Sequence, residues 1–175
     1  MPPWRRVALW SAWVNRSKMR AWWMLRYIGH ESVAVLDGGL PAYVAAGGPT
    51  APGEPAPGGP ALPIGTSSMP IVQVDELTRF QLMDARAAAR FRGESEPIDP
   101  VAGHIPGARS TPFAQQLDDS GHMRSAAELK TLHAPRFGER GAAETAAYCG
   151  SGVTACHLLL GLELAGFAGV SLYPG

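Results

Sequence analysis

Ala147-Tyr148-Cys149-Gly150-Ser151-Gly152-Val153-Thr154-Ala155-Cys156-His157 reads as the end of a strand, a loop carrying two glycines and two hydroxyls, and the start of a helix. This order places a thiol where loop amides and a helix N-terminus converge. A helix N-terminus carries about half a positive charge, and a run of backbone N–H groups around one sulfur favours the thiolate, which is the nucleophilic form. Most free cysteines are inert core atoms. The run Gly150-Ser151-Gly152-Val153-Thr154 argues otherwise here, because two glycines in three positions add nothing to packing, while Ser and Thr both close helix starts and face bound anions. Cysteine phosphatases also use a thiolate in an amide-lined loop, but they need an arginine six residues after the cysteine to grip phosphate. Ala155 stands at that position, so phosphatase chemistry is set aside.

Outward from the loop, residues 144–148 form the strand that delivers Cys149, and residues 154–164 the helix that follows. Residues 125–132 open another helix with a capping box, Ser125 as N-cap and Glu128 at the third helical position. Residues 80–84 read as a buried strand, followed by a helical stretch over 85–91 that carries Arg86 and Arg90, with Arg92 next. Such arginines are usually solvated; the functional alternative is a bidentate grip on a substrate carboxylate. Between 48 and 70, prolines at 49, 52, 55, 57, 60, 63 and 70 exclude helix and central strand. That stretch is a linker, and a domain boundary falls there. Ahead of it come a helix over 17–29 with Ser17 as N-cap, a buried strand over 32–36 and a short helix over 40–46. The tryptophans of the first helix read as core on one face. Residues 1–14 bear a faint likeness to a secretory signal, but the apolar run is short and lacks a small-residue cleavage site, so the segment reads as irregular.

Residues 29–38 can be laid over 166–175, 137 positions on, so that both end glycines and the central apolar alternation match. An apolar helix precedes each copy. Internal similarity of this kind predicts two related α/β units. The offset sets Ala12 opposite Cys149, leaving the first copy without a thiol.

Three segments carry a family resemblance. The Cys149–Thr154 loop resembles the active-site loop of the two-domain rhodanese and 3-mercaptopyruvate sulfurtransferase family, Gly103-His104-Ile105-Pro106-Gly107-Ala108 is similar to that family's signature, and Asp84 to Phe91 matches its substrate-arginine segment. The resemblance implies an α/β protein of two rhodanese-like units, each a mainly parallel sheet flanked by helices. Residues 1–47 would be a C-terminal remnant of a non-catalytic unit, 48–70 the Pro/Gly-rich linker, and 71–175 the catalytic unit lacking its closing helix. It also implies sulfur transfer from 3-mercaptopyruvate or thiosulfate to a thiol or cyanide through a persulfide on Cys149. Ser151 would handle a proton, Arg90 would orient the donor carboxylate, and the amides of Gly150, Gly152, Val153 and Thr154 would line the sulfur site. The uncharged loop leans toward mercaptopyruvate. Asp99 departs from the mammalian mercaptopyruvate enzymes, which carry a further arginine there. His104 reads as structural, and no metal or organic cofactor is implied. The alternative reading is a catalytically inactive rhodanese-like fragment.

Composition fits this class. Fifteen basic and fifteen acidic residues cancel, which gives no cause to expect a nucleic acid or membrane partner. No stretch approaches the roughly 18 apolar residues of a membrane span. The two cysteines, seven residues apart, form neither a disulfide framework nor a thiolate zinc motif, and fit a reducing, cytoplasmic setting.

Overall fold

Four short strands, too brief to pair stably alone, are held together in the second half of the chain by the helices that connect them. The computed structural model describes residues 7–9, 17–50, 52–53 and 64–175. The chain divides into two compact units, residues 1–68 and 69–175. In the second, β3 (Gln81–Asp84), β4 (Arg109–Ser110), β5 (Thr145–Tyr148) and β6 (Ser171–Leu172) lie in the order β4-β3-β5-β6, all in parallel. Ile71 extends the β6 edge by a parallel bridge to Leu172. After β3 the chain crosses to one side of the sheet, and after β5 to the other. The carboxyl ends of β3 and β5 therefore flank a topological switch point, the place where open α/β sheets bind ligands.

Both faces of the sheet are covered, as parallel strands require. On one, Leu82, Ala146 and Tyr148 pack with Val72 and Leu77, joined by Phe80, Ile105, Ala108 and Tyr173. By strand alternation, Met83 and Ala147, both fully buried, point to the other. Helix α5 (Val153–Leu164) contacts β5 and β6, and α4 (Ala126–Phe137) packs against α5. Almost all of α5 is apolar, as befits a helix enclosed between a sheet and a neighbour. Ser125 and Glu128 form the anticipated reciprocal cap of α4, and the Arg109 guanidinium closes its other end by donating to the Arg136 carbonyl at 2.8 Å.

Between these helices lies a buried polar chain. Gln116 accepts from His133 Nε2 at 3.1 Å and donates to the His157 carbonyl at 3.0 Å. A β-carbon at Gly161 would sit 1.8 Å from Gln116 Oε1, so a side chain at that helix position would displace Gln116 from these hydrogen bonds. Burial lowers the His133 pKa to about 4. The unfolded chain then binds the proton more readily than the folded one between about pH 6.5 and 4, so stability is lost as pH falls through that window. The slope from this one group reaches about 1.4 kcal/mol per pH unit. Thermal melts from pH 7.5 to 4.5 should show the decline, and His133→Gln should flatten it.

The first unit contains β1 (Val7–Leu9), α1 (Ser17–Tyr27), β2 (Val33–Val35) and α2 (Gly39–Ala45), with β1 and β2 parallel. Met19, Trp22 and Trp23 of α1 are buried at helical spacing. Strand β1 corrects the reading of residues 1–14 as irregular: the apolar Val7-Ala8-Leu9 run finds backbone partners along β2. Residues 1–6 and 10–16, part of that segment, lie outside the described ones, as do residues 51 and 54–63 of the linker. The C-terminal ends of α1 and α5 are closed alike. Gly29 N–H donates to Arg26 O and His30 N–H to Leu25 O, and 137 positions on Gly166 donates to Glu163 and Phe167 to Leu162. The strands differ from that offset by one residue. Ala8 pairs with Ala34, whereas Ala146 pairs with Ser171, and Ala12, set opposite Cys149 by the sequence offset, lies outside the described residues. Among the described residues no helix is long and apolar enough to cross a membrane.

Candidate active site

Strand β5 ends at Tyr148, and the next residue is Cys149, 4% exposed. The backbone then turns through Gly150 (φ 124°) and Gly152 (φ 73°) before α5 starts at Val153. Both angles lie where a side chain is strained, so the two glycines are a requirement of this turn. The Ala85 amide donates to the Tyr148 carbonyl at 2.9 Å, pinning the end of β5 beside that of β3. Cys149 thus stands at the switch point, before the first turn of a twelve-residue helix whose opening amides have no intrahelical acceptor.

A cavity of about 340 Å³ opens in front of it, lined by Cys149, Gly150 and Tyr148, by Arg86 and Asp99, and by the 101–105 segment. Arg86 is nearly buried. It grips Asp84 with Nε (3.0 Å) and Nη2 (2.7 Å), meets Glu96 at 3.1 Å and also donates to the Gly103 carbonyl. Hydrogen bonding to Asp84 raises its pKa above the ordinary arginine value. Tyr148 is held protonated, its pKa raised by burial, and its oxygen accepts from the Ile105 amide at 3.1 Å. Glu96 lies against Arg90, whose hydrogen bond lowers the carboxyl pKa to about 2. His104 stacks on Phe91 at 3.7 Å and bonds the Phe91 carbonyl through Nδ1, a structural arrangement on the cavity rim.

The structure brings only some of the anticipated residues together. Cys149 and Gly150 line the cavity; Ser151, Gly152, Val153, Thr154 and Arg90 do not. Ser151 is exposed, and Gly152 caps the helix. Arg90 is already engaged by Glu96 (2.6 Å) and Asp99 (2.8 Å), of which Asp99 lines the cavity. The helix read over 85–91 is shorter, Ala88–Phe91, because the Arg86 amide bonds Asp84 Oδ1 and keeps the chain out of helix until Ala87. Cys156 is fully buried on α5 and away from the cavity. Arg86, Asp84, Tyr148 and Glu96 are the members that sequence reasoning left unassigned. An aspartate closing a buried strand with an arginine two residues on was the available signal.

A parallel sheet flanked by helices, with a cysteine at its switch point leading into a helix through a Gly-x-Gly turn, defines an α/β domain that presents a thiol at its ligand-binding edge. The model of the rhodanese-like domain family matches residues 73–175, and the chain belongs to that family. It is 42% identical over 163 residues to the Pseudomonas aeruginosa protein named "Probable 3-mercaptopyruvate sulfurtransferase", covering 89% of this chain and 57% of that one. To the thiosulfate sulfurtransferase of Gallus gallus it is 35% identical, covering 89% and 56%. The crystal structure of SseA from Escherichia coli, described with the 3-mercaptopyruvate sulfotransferases, superposes with a TM-score of 0.79 at 30% identity, covering 97% of this chain and 66% of that one. The chain therefore spans less than two thirds of the length of these relatives.

Proposed function

We propose that residues 71–175 form a sulfurtransferase unit that carries sulfur as a persulfide on Cys149, with residues 1–47 a non-catalytic rhodanese-like unit and 48–70 the linker. The observation that carries this reading is the position of Cys149, at a helix start and on the wall of a cavity. The Cys149 thiolate attacks the donor sulfur. With thiosulfate the S–S bond breaks and sulfite leaves with the electron pair; with 3-mercaptopyruvate the C–S bond breaks and the enolate of pyruvate leaves, then takes a proton. Amides of Gly150, Ser151, Gly152, Val153 and Thr154 stabilise the sulfur anion, and Ser151 relays the proton. A thiol or cyanide then attacks the outer sulfur and Cys149 departs as thiolate. Arg90 receives a donor carboxylate only by exchanging it for Asp99. Cys149 and Cys156 are not joined in a disulfide, which suits a reducing cytoplasm. The relatives' names, one for each donor, support the donor classes.

The test is to incubate the protein with 3-mercaptopyruvate or thiosulfate, desalt it and weigh it intact. One added sulfur atom should appear, lie on Cys149 in fragment ions that separate it from Cys156, and be removed by cyanide as thiocyanate. An unchanged mass with both donors would favour an inactive fragment, and sulfur on Cys156 would overturn the assignment of the nucleophile.

A further inference from the structure

Among the described residues lining the Cys149 cavity, two carry charged side chains, Arg86 and Asp99. They are unequal. Arg86 is 6% exposed and its donors are committed to Asp84, Glu96 and the Gly103 carbonyl. Asp99 is 33% exposed, with Oδ2 at 2.8 Å from Arg90 and 3.5 Å from Arg86. The ion-pair cluster joins two guanidiniums, Arg86 and Arg90, to three carboxylates, Asp84, Glu96 and Asp99. One negative charge is left over. Asp84 and Glu96 are buried behind the arginines, at 0% and 5% exposed, so the surplus is presented to the cavity by Asp99. Its Oδ2 lies only 3.3 Å from where a β-carbon on Gly150 would stand, directly beside the nucleophile's loop. Asp99 and Cys149 line the same cavity, so a reactant at Cys149 lies in the field of this carboxylate.

We propose that Asp99 is the charge filter of the cavity, slowing anionic reactants at Cys149, the anionic donors among them, and favouring a sulfur acceptor that carries an ammonium group near its thiol, an aminothiol. The acceptor class rests on the sulfur-transfer reading above; the filter itself does not. In the transfer, the acceptor thiolate attacks the outer sulfur of the Cys149 persulfide, the S–S bond breaks with its electron pair going to Cys149 Sγ, and a new S–S bond forms on the acceptor. The ammonium stays protonated throughout, paired with Asp99. At separations of several ångströms in a half-exposed site, one such charge is worth on the order of ten-fold in rate.

Two measurements test it. The first compares alkylation of Cys149 by iodoacetate and by iodoacetamide, which differ in charge and need no sulfur chemistry. Asp99→Asn should raise the iodoacetate-to-iodoacetamide rate ratio by roughly ten-fold, Asp99→Glu should restore it, and added salt should raise it in the wild type. The second follows discharge of the Cys149 persulfide by cysteamine and by 3-mercaptopropionate at equal thiolate concentration. Cysteamine should be faster by roughly a hundred-fold in the wild type, about ten-fold for each of the two unit charges that separate the reagents, and Asp99→Asn should erase the difference. A ratio unmoved by Asp99→Asn, or by salt should that variant not fold, overturns the filter. Equal discharge by the two thiols overturns the aminothiol class. A shifted ratio with no persulfide formed leaves the filter standing and removes the sulfur-transfer reading.

Discussion

Replacing Cys149 by Ser should lower sulfur transfer to every acceptor by at least about a thousand-fold, because a serine hydroxyl at neutral pH supplies no anion to attack a sulfur atom and the covalent route is lost. The exchange is nearly isosteric at a site only 4% exposed, so the thermal midpoint should stay within a few degrees of the wild type. Cys156→Ala is the matching control. Its sulfur is fully buried on α5, so removing it should cost stability through a small cavity while leaving persulfide formation on Cys149 intact. Steady-state turnover with thiosulfate or 3-mercaptopyruvate, run beside melts of both variants, separates the two effects. Residual turnover of Cys149→Ser near wild type would end the assignment of the nucleophile.

What could be read from the chain alone was whatever local chemistry dictates. The Gly-x-Gly turn before α5 announces itself because positive φ has few solutions other than glycine, and the Ser125/Glu128 cap is a four-residue signal that needs no tertiary context. Strand β1 was not legible in the same way. Three residues, Val7-Ala8-Leu9, become a strand only because β2 offers them partners, and beside two arginines and three tryptophans they looked like no regular element. The charge environment of the cavity was equally hidden. Arg90 stood out as a carboxylate ligand, yet the chain between 94 and 103 folds back so that Glu96 and Asp99 reach it first. Long-range closure of that segment decides which charges face Cys149, and no periodicity encodes it. The Asp84–Arg86 pair lies two residues apart, and its meaning as a buried anchor depends on β3 being covered on both faces.

That anchor yields the other large effect. Asp84→Ala should destabilise the second unit by about 3 kcal/mol, the lower part of the range for removing one partner of a buried ion pair. Asp84 is fully buried and Arg86 is 6% exposed, so the orphaned guanidinium keeps Glu96 as counter-charge but loses the bidentate partner that fixes its plane. Arg86 also holds the Gly103 carbonyl and Glu96, and through them the segment bearing Asp99 and His104. Loosening it should therefore raise alkylation of Cys149 by a neutral reagent as the cavity wall frays. Urea titrations give the stability, and the double variant Asp84→Ala/Arg86→Met supplies the control, since removing both charges should recover much of the loss while leaving the wall unanchored. Recovery of stability without recovery of normal alkylation would assign Arg86 to holding the cavity wall. A loss below about 1 kcal/mol for Asp84→Ala, the size of an exposed pair, would show that solvent reaches this ion pair and that the wall is anchored elsewhere.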